Sequence, residues 1–394
     1  MPNATKQGHK RETFLSFSPP AISQQEIDAV VDTLRSSWIT TGPKTKQFEA
    51  EFAGYTGAPD ALAVNSCTGA LHIALAALGI GPGDEVITTP MTFAASVNVI
   101  EHEGATPILV DVEPDTLNID PARVAEAITP RTRAILPVHY TGHPADMNPL
   151  LDLAKQHNLR VIEDAAHALP ATYENRMVGT IGDFTAFSFY ATKNLTTAEG
   201  GMLTGNAELI NEARIWSLHG MSRDAWKRYE KNGSWYYEIV APGFKYNMTD
   251  IQAAIGLVQL QRLETMQQRR YEIVRQYNAV FGDMDELETP TERPNVQSAW
   301  HLYVLRLSLD KLKIDRNQFI EEMRVRNIGT SVHFIPIHLH PFYRDKYGWQ
   351  PDDFPVAYHE YQRLVSLPLH PGLTDDDVAD VITAAQDIVQ HNRC

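Results

Sequence analysis

Only two cysteines, Cys67 and Cys394, occur in the 394 residues, near opposite ends. They make neither a disulfide framework nor a CxxC metal site, and reduced thiols suit an intracellular setting. Also missing is any apolar run near the roughly 18 to 20 residues that cross a bilayer. The first residues, MPNATKQGHKRETF, are polar and offer no stretch to serve as a secretion signal, so a cytoplasmic protein with no membrane partner is expected. Basic residues are in deficit, 34 Lys and Arg against 49 Asp and Glu, leaving a formal net charge of −15. Binding along a nucleic-acid backbone needs lysine and arginine against phosphates, and this balance argues against it. Internal repeats and low-complexity segments are absent as well.

What is present is an ordinary globular composition, 43% hydrophobic and 21% charged, on a chain long enough for two packed domains. From about residue 60 to 205, short β-branched runs alternate with amphipathic segments. The runs are ALAV (61–64), EVIT (85–88), TPILVDV (106–112), RAILPVH (133–139) and RVIED (160–164), with helical periods such as GALHIALAALGI and MNPLLDLAKQHN between them. That alternation predicts a largely parallel sheet covered on both faces. Two more strand candidates, TAFSFY (185–190) and GGMLTG (200–205), are joined by the loop ATKNLTTAE instead of a helix.

After residue 205 a helix at about 206–217 leads into SRDAWKRYEKNGSWYYE, which reads as a long polar, aromatic loop. The segment TDIQAAIGLVQLQRLETMQQRRYEIVRQYNAVF then keeps a helical period for about thirty residues, opened by a Thr249/Asp250 capping signal. Strand candidates at 299–307, 330–334 and 364–369, with helices near 315–326 and 374–391, predict a small α+β domain. The expected division is 15–248 for a large α/β domain, 249–285 for a connecting helix and 286–394 for the small domain.

The run Gly79-Ile80-Gly81-Pro82-Gly83-Asp84 imitates a dinucleotide fingerprint. It ends a helix and precedes a strand, the reverse of what that fingerprint requires, so it is a turn. Asn65-Ser66-Cys67-Thr68-Gly69-Ala70 joins a strand to a helix start, where free N–H groups and the helix dipole can hold phosphate. Ordinary N-capping explains the same residues. Asp164 closes the strand of VIEDAAH, where ligands of α/β sheets bind, though a turn aspartate would look the same. Lys193 follows a strand in a glycine- and threonine-rich loop, where a surface lysine is also ordinary. A lysine, a separate carboxylate and a phosphate cradle are together the parts of a pyridoxal phosphate site.

VIEDAAHA, FSFYATKN with AEGG, and GFKYNMTDIQAA, together with WITTGPKT, SVHFIP and SLPLHPGL, span about residues 15–385 in order. In these motifs the chain resembles the nucleotide-sugar aminotransferases of pyridoxal phosphate fold type I, the DegT/StrS group. Within it, the pattern is most similar to the enzymes that aminate C4 of a 4-keto sugar nucleotide, including the one that makes UDP-4-amino-4-deoxy-L-arabinose. The resemblance implies a mostly parallel seven-stranded sheet flanked by helices, a small C-terminal α+β domain, a cytoplasmic homodimer with shared sites, and glutamate as amino donor. Carried over by position, it makes Lys193 the Schiff-base lysine and Asp164 the partner of the pyridine nitrogen. It places His167 near the phenolic oxygen, where many relatives carry glutamine. Thr68, Gly69 and Ser188 would hold the phosphate, with Asn247 reaching it from the partner subunit, and Phe93 would stack on the ring. Phe93 as a core aromatic and Asn247 as a residue merely preceding a helix cap are the plain alternatives.

His333, His338, His340 and His359 lack metal-ligand spacing and have no cysteine or carboxylate cluster beside them, so no metal is expected. The resemblance instead lays HFIPIHLHPFY along the sugar pocket, with His333 and His338 as substrate contacts. Lys227, Arg228 and Lys231 lie in the aromatic loop, where Arg228 suits the diphosphate of a sugar nucleotide, or the loop is simply a solvated charged one. Two other functions share the scaffold, a sugar dehydratase and a non-catalytic cofactor-binding regulator. The dehydratases that resemble this family carry histidine in place of the lysine, and an intact Lys193 with Asp164 disfavours both.

Overall fold

The computed structural model describes residues 10–222 and 236–394. Strands β1 (Asp60–Val64), β2 (Glu85–Thr88), β3 (Thr106–Leu109), β4 (Thr132–Ile135) and β5 (Arg160–Asp164) form where the β-branched runs lie. Helices α1 (Gln24–Arg35) and α2 (Pro43–Thr56) precede them, and α3 (Cys67–Ala77), α4 (Ala95–His102), α5 (Pro121–Ala127) and α6 (Met147–His157) fill the intervals. The glycine-rich turn ends α3: Gly79 and Gly83 sit at φ 69° and 95°, and the Asp84 side chain accepts from Gly81 N–H.

Two-residue strands β6 (Thr172–Tyr173) and β7 (Arg176–Met177) come next, then β8 (Phe184–Ser188), β9 (Gly201–Gly205) and α7 (Ala207–Ser217). The central sheet has seven strands in the order β1-β9-β8-β5-β4-β2-β3. Only β9 opposes the rest, pairing antiparallel with both β1 and β8. The helix-free link between β8 and β9 accounts for this, since neighbouring strands joined without a crossover must run antiparallel. The other six strands consequently end at one edge.

Helix α8 (Asp250–Phe281) starts in a capping box between Thr249 and Gln252 and runs for 32 residues, about 48 Å at the α-helical rise. Its two halves serve different cores. Ala253, Leu257, Leu260 and Leu263 join Phe48, Phe52 and Phe189 under the sheet, whereas Ile273, Val274, Tyr277 and Phe281 join Tyr303, Phe319, Leu367 and Val381. Around the second core, β10 (Leu287–Glu288), β12 (Tyr303–Leu307) and β13 (Leu364–Leu367) form an antiparallel sheet, while β11 (Val296–Gln297) pairs with β6. Helices α9 (Arg316–Val325), α10 (Pro341–Tyr347), α11 (Pro355–Arg363) and α12 (Asp375–His391) complete this half.

Two expectations need correction. The segment 330–334 is no strand: it touches β13 through one bridge, Ser331 to Ser366, and turns away toward Pro336, which carries no N–H for a ladder. The strand expected over 106–112 stops at Leu109, because its one partner, β2, ends opposite it at Thr88; beyond, the Asp111 carboxylate accepts from the N–H groups of Val356 and Ala357 at the start of α11. The aromatic loop falls mostly at 223–235, outside the described residues, although its described ends pair at Met221 and Ile239.

Candidate active site

Where β1 gives way to α3, Ser66 caps the helix, its hydroxyl accepting from Gly69 N–H at 3.0 Å. The N–H groups of Cys67 and Thr68 precede the first intrahelical bond and stand at the positive end of the helix, an anion cradle. The turn is too tight for side chains on either side. A Cβ on Gly69 would lie 2.9 Å from Asn65 Oδ1, and one on Gly201 of β9 would lie 2.6 Å from the Ser66 carbonyl carbon. The AEGG glycines thus let β9 press against the cradle.

Asp164, last in β5, is buried with every oxygen engaged. Its Oδ2 accepts from Ser96 Oγ at 2.7 Å, and Ser96 is bonded to Thr92 Oγ1 at 2.7 Å. Its Oδ1 accepts from Ala166 N–H at 3.1 Å, and Cys67 Sγ lies 3.9 Å away. Burial pushes the Cys67 thiol well up, reinforced by Asp164, so the sulfur stays protonated beside the carboxylate. On the other face of β5, the fully buried Glu163 pairs with His139 at 2.9 Å and accepts from Gly182 N–H and Thr185 Oγ1, tying β5 to β8.

The β8–β9 loop presents Lys193. Its shape is set by Phe189 N–H donating to Gly200 O and Thr197 N–H donating to Phe189 O, each at 2.9 Å, and by Lys193 N–H donating to Tyr190 O. Burial draws the Lys193 ammonium from 10.5 down to about 8, with the Asp164 carboxylate pulling the other way. Three histidines surround it. His167 and His301 are held well below the usual imidazole range, first by burial and then by the Lys193 charge, and His333 falls to about 4 for the same reasons. All three are neutral near pH 7. His167 packs on His301 at 4.5 Å and on Phe334 at 5.7 Å, and His333 bonds to Ser366 and stacks on Phe17.

These groups enclose a cavity of about 490 Å³. Of the residues anticipated from sequence, Thr68, Phe93, Asp164, His167, Ser188, Lys193 and His333 line it, and Gly69 lies just behind Thr68. Phe93 is 65% exposed, which sets aside a core role. His338 corrects an expectation: it is wholly buried with its ring 4.8 Å from Phe354, outside the cavity wall, because Ile337 and His338 turn inward in a short 3-10 segment. Asn247 donates to Thr41 Oγ1 at 2.6 Å and forms a bridge with Val64, and it does not line the cavity of its own chain. Arg228, with Lys227 and Lys231, lies outside the described residues.

Ser96 and His301, in this wall or beside it, are not singled out by the sequence. Thr92 precedes α4, so its bond to Ser96 is no helical pair, and Ser96 carries no signal of its own. His301 lay inside a run read as a strand and carried none.

The residues fit pyridoxal phosphate. Hydroxyls of Thr68 and Ser188 line the cavity with the helix start, a buried carboxylate and an amine share it, and His167 Nδ1 is buried with no hydrogen-bond partner among the described residues. Residues 20–386 match the DegT/DnrJ/EryC1/StrS aminotransferase family. The chain is 54% identical over 383 residues to the spore coat polysaccharide biosynthesis protein SpsC of Bacillus subtilis, covering 97% of this chain and 98% of that protein. Its fold is similar to that of Spr1654 from Streptococcus pneumoniae, solved in PMP and PLP forms, with TM-scores of 0.91 and 0.89, identities of 40% and 39%, and 96% and 99% of the two chains covered. The sugar aminotransferase CalS13 from Micromonospora echinospora is similar at a TM-score of 0.85 and 29% identity, over 94% of this chain and 99% of that one. With the lysine, the carboxylate and the anion cradle gathered at one sheet edge, the chain belongs to the DegT/DnrJ/EryC1/StrS family and is a pyridoxal phosphate-dependent sugar aminotransferase.

Proposed function

We propose that the enzyme moves an amino group from glutamate onto the keto carbon of a 4-keto sugar carried by a nucleoside diphosphate such as UDP. The supporting observation is the Lys193 amine, drawn down to about 8, in one cavity with the buried Asp164 carboxylate. Bound pyridoxal phosphate supplies an electron sink for the carbon that loses its proton. Asp164 serves as the anionic partner of the ring nitrogen, oriented by Ser96 and by Ala166 N–H. Lys193, partly neutral near pH 8, takes a proton from the donor carbon and returns one to the sugar carbon. The α3 start with Thr68, Gly69 and Ser188 holds the phosphate, Phe93 covers the ring face and His167 stands by the phenolic oxygen.

In this reading the site is shared between two subunits, with Asn247 reaching the phosphate of the partner's site. Large exposed apolar side chains at Trp38, Ile39, Ile239 and Val240 support a covered face. His333 faces the sugar, and Arg228 takes the diphosphate. The test supplies glutamate and a panel of 3-keto and 4-keto sugars, free or linked to UDP, dTDP or GDP, and reads products by mass. Ketone-to-amine conversion of a nucleotide-linked 4-keto sugar is the expected result. Conversion confined to free sugars or 3-keto sugars contradicts the reading.

A further inference from the structure

His301 is held more firmly than its place in a connecting segment requires. Its N–H donates to Thr141 O at 2.9 Å, and its carbonyl accepts from Arg270 Nη1 at 3.3 Å. The same nitrogen of Arg270 also reaches the carbonyls of Trp300 and Leu369, at 3.3 and 2.8 Å. Arg270 is 2% exposed, and burial alone draws it down to about 9. Just before His301, Trp300 sits at φ 44°, in the left-handed region that a bulky side chain rarely adopts. A buried cation given to three carbonyls and a strained tryptophan together over-determine this backbone, and such strain gathers at functional sites.

The ring is just as constrained. The Asn194 amide nitrogen donates to Ala299 O at 2.8 Å and to Gln267 Oε1 at 3.3 Å, which leaves Oδ1 as that side chain's acceptor. His301 Nδ1 lies 3.1 Å from that oxygen, so Nδ1 carries the ring hydrogen. The neutral ring then keeps an unprotonated Nε2, and His301 lines the same cavity as Lys193. Asn194, which sets this tautomer, is the residue next to Lys193.

We propose that His301 is a positioning residue whose unprotonated Nε2 accepts a hydrogen bond from the Lys193 amine and orients it for proton transfer. This rests on Lys193 being the proton-moving amine. In holoenzyme labelled with 15N-histidine, the His301 resonance, identified by its loss in His301→Gln, should show Nδ1–H and a bare Nε2 at neutral pH. A proton on Nε2 would overturn the proposal. In single turnover with L-glutamate and no sugar, followed by cofactor absorbance, His301→Phe should slow the change about ten- to a hundredfold. His301→Gln, which restores an acceptor, should recover most of that rate at the same melting temperature and cofactor content. An unslowed His301→Phe, or a His301→Gln as slow as His301→Phe, overturns it. Should His301→Phe fail to fold, the resonance and the His301→Gln rate decide. Persistence of the glutamate reaction in Lys193→Ala would instead remove the reading of Lys193, leaving the His301 tautomer as a separate result.

Discussion

The two sides of the cavity are built differently. At the sheet edge, Asp164 is bonded to Ser96 and Ala166, Ser96 to Thr92, and Glu163 behind them to His139, Gly182 and Thr185, all within one chain. Elsewhere in the wall, Phe334 and the exposed Phe93 present aromatic rings. The sheet side is fixed before any ligand arrives, as an electrostatic site needs to be, because donors already aimed at a charge need no rearrangement. The loop side supplies shape, which fits the contact with the sugar proposed above.

Substitutions on the sheet side should therefore cost rate in both half-reactions. Lys193→Ala removes the amine and should lower transamination by about a thousandfold or more while leaving the fold intact. Its melting temperature without cofactor should not fall, since deleting a buried cation relieves a penalty. Detectable turnover near the normal rate would break the comparison at its centre. Asp164→Asn keeps the shape and removes the charge, so single-turnover rates with glutamate should drop about a hundredfold with cofactor still bound. Ser96→Ala leaves Asp164 one donor short and should cost about tenfold in the same assay, the loss of one bond to a charged group. A loss as large as that of Asp164→Asn would mean that Ser96 does more than orient.

A loop-side change should separate the half-reactions. Phe334→Ala should raise KM for the sugar nucleotide several-fold, consistent with about 1 kcal/mol of lost packing, and leave the glutamate half-reaction unchanged. Equal effects on both would erase the contrast between the two sides.

The same contrast governs what the sequence reveals. Strand and helix alternation, the turn at Gly79–Asp84 and the cap of α8 are local, so periodicity and capping residues announce them. Asp164 and Thr68 are legible because they close a strand and open a helix, and Lys193 because it follows a strand in a link that lacks a helix, all at the sheet edge where α/β folds place their ligands. What escapes is set by tertiary contact. His338 looks equivalent to His333 in HFIPIHLHPFY, yet the chain turns one ring onto Ser366 and Phe17 and buries the other against Phe354. The bond from Ser96 to Asp164 spans 68 residues, and no period in the sequence marks it. His301 enters the cavity because Arg270, thirty-one residues earlier on α8, holds its carbonyl.

The central claim is that Lys193 is the amine that receives the cofactor, in a site that keeps it partly neutral. The direct measurement pulses cofactor-free protein with pyridoxal phosphate from about pH 6 to about pH 10, traps with borohydride and maps the labelled peptide. Lowering a lysine from 10.5 to about 8 enlarges its neutral fraction below pH 10, so early labelling should reach half its maximum near pH 8 and then level off, on Lys193 alone. Label on another lysine, or a yield still climbing toward pH 10 as for an ordinary lysine, would contradict the account.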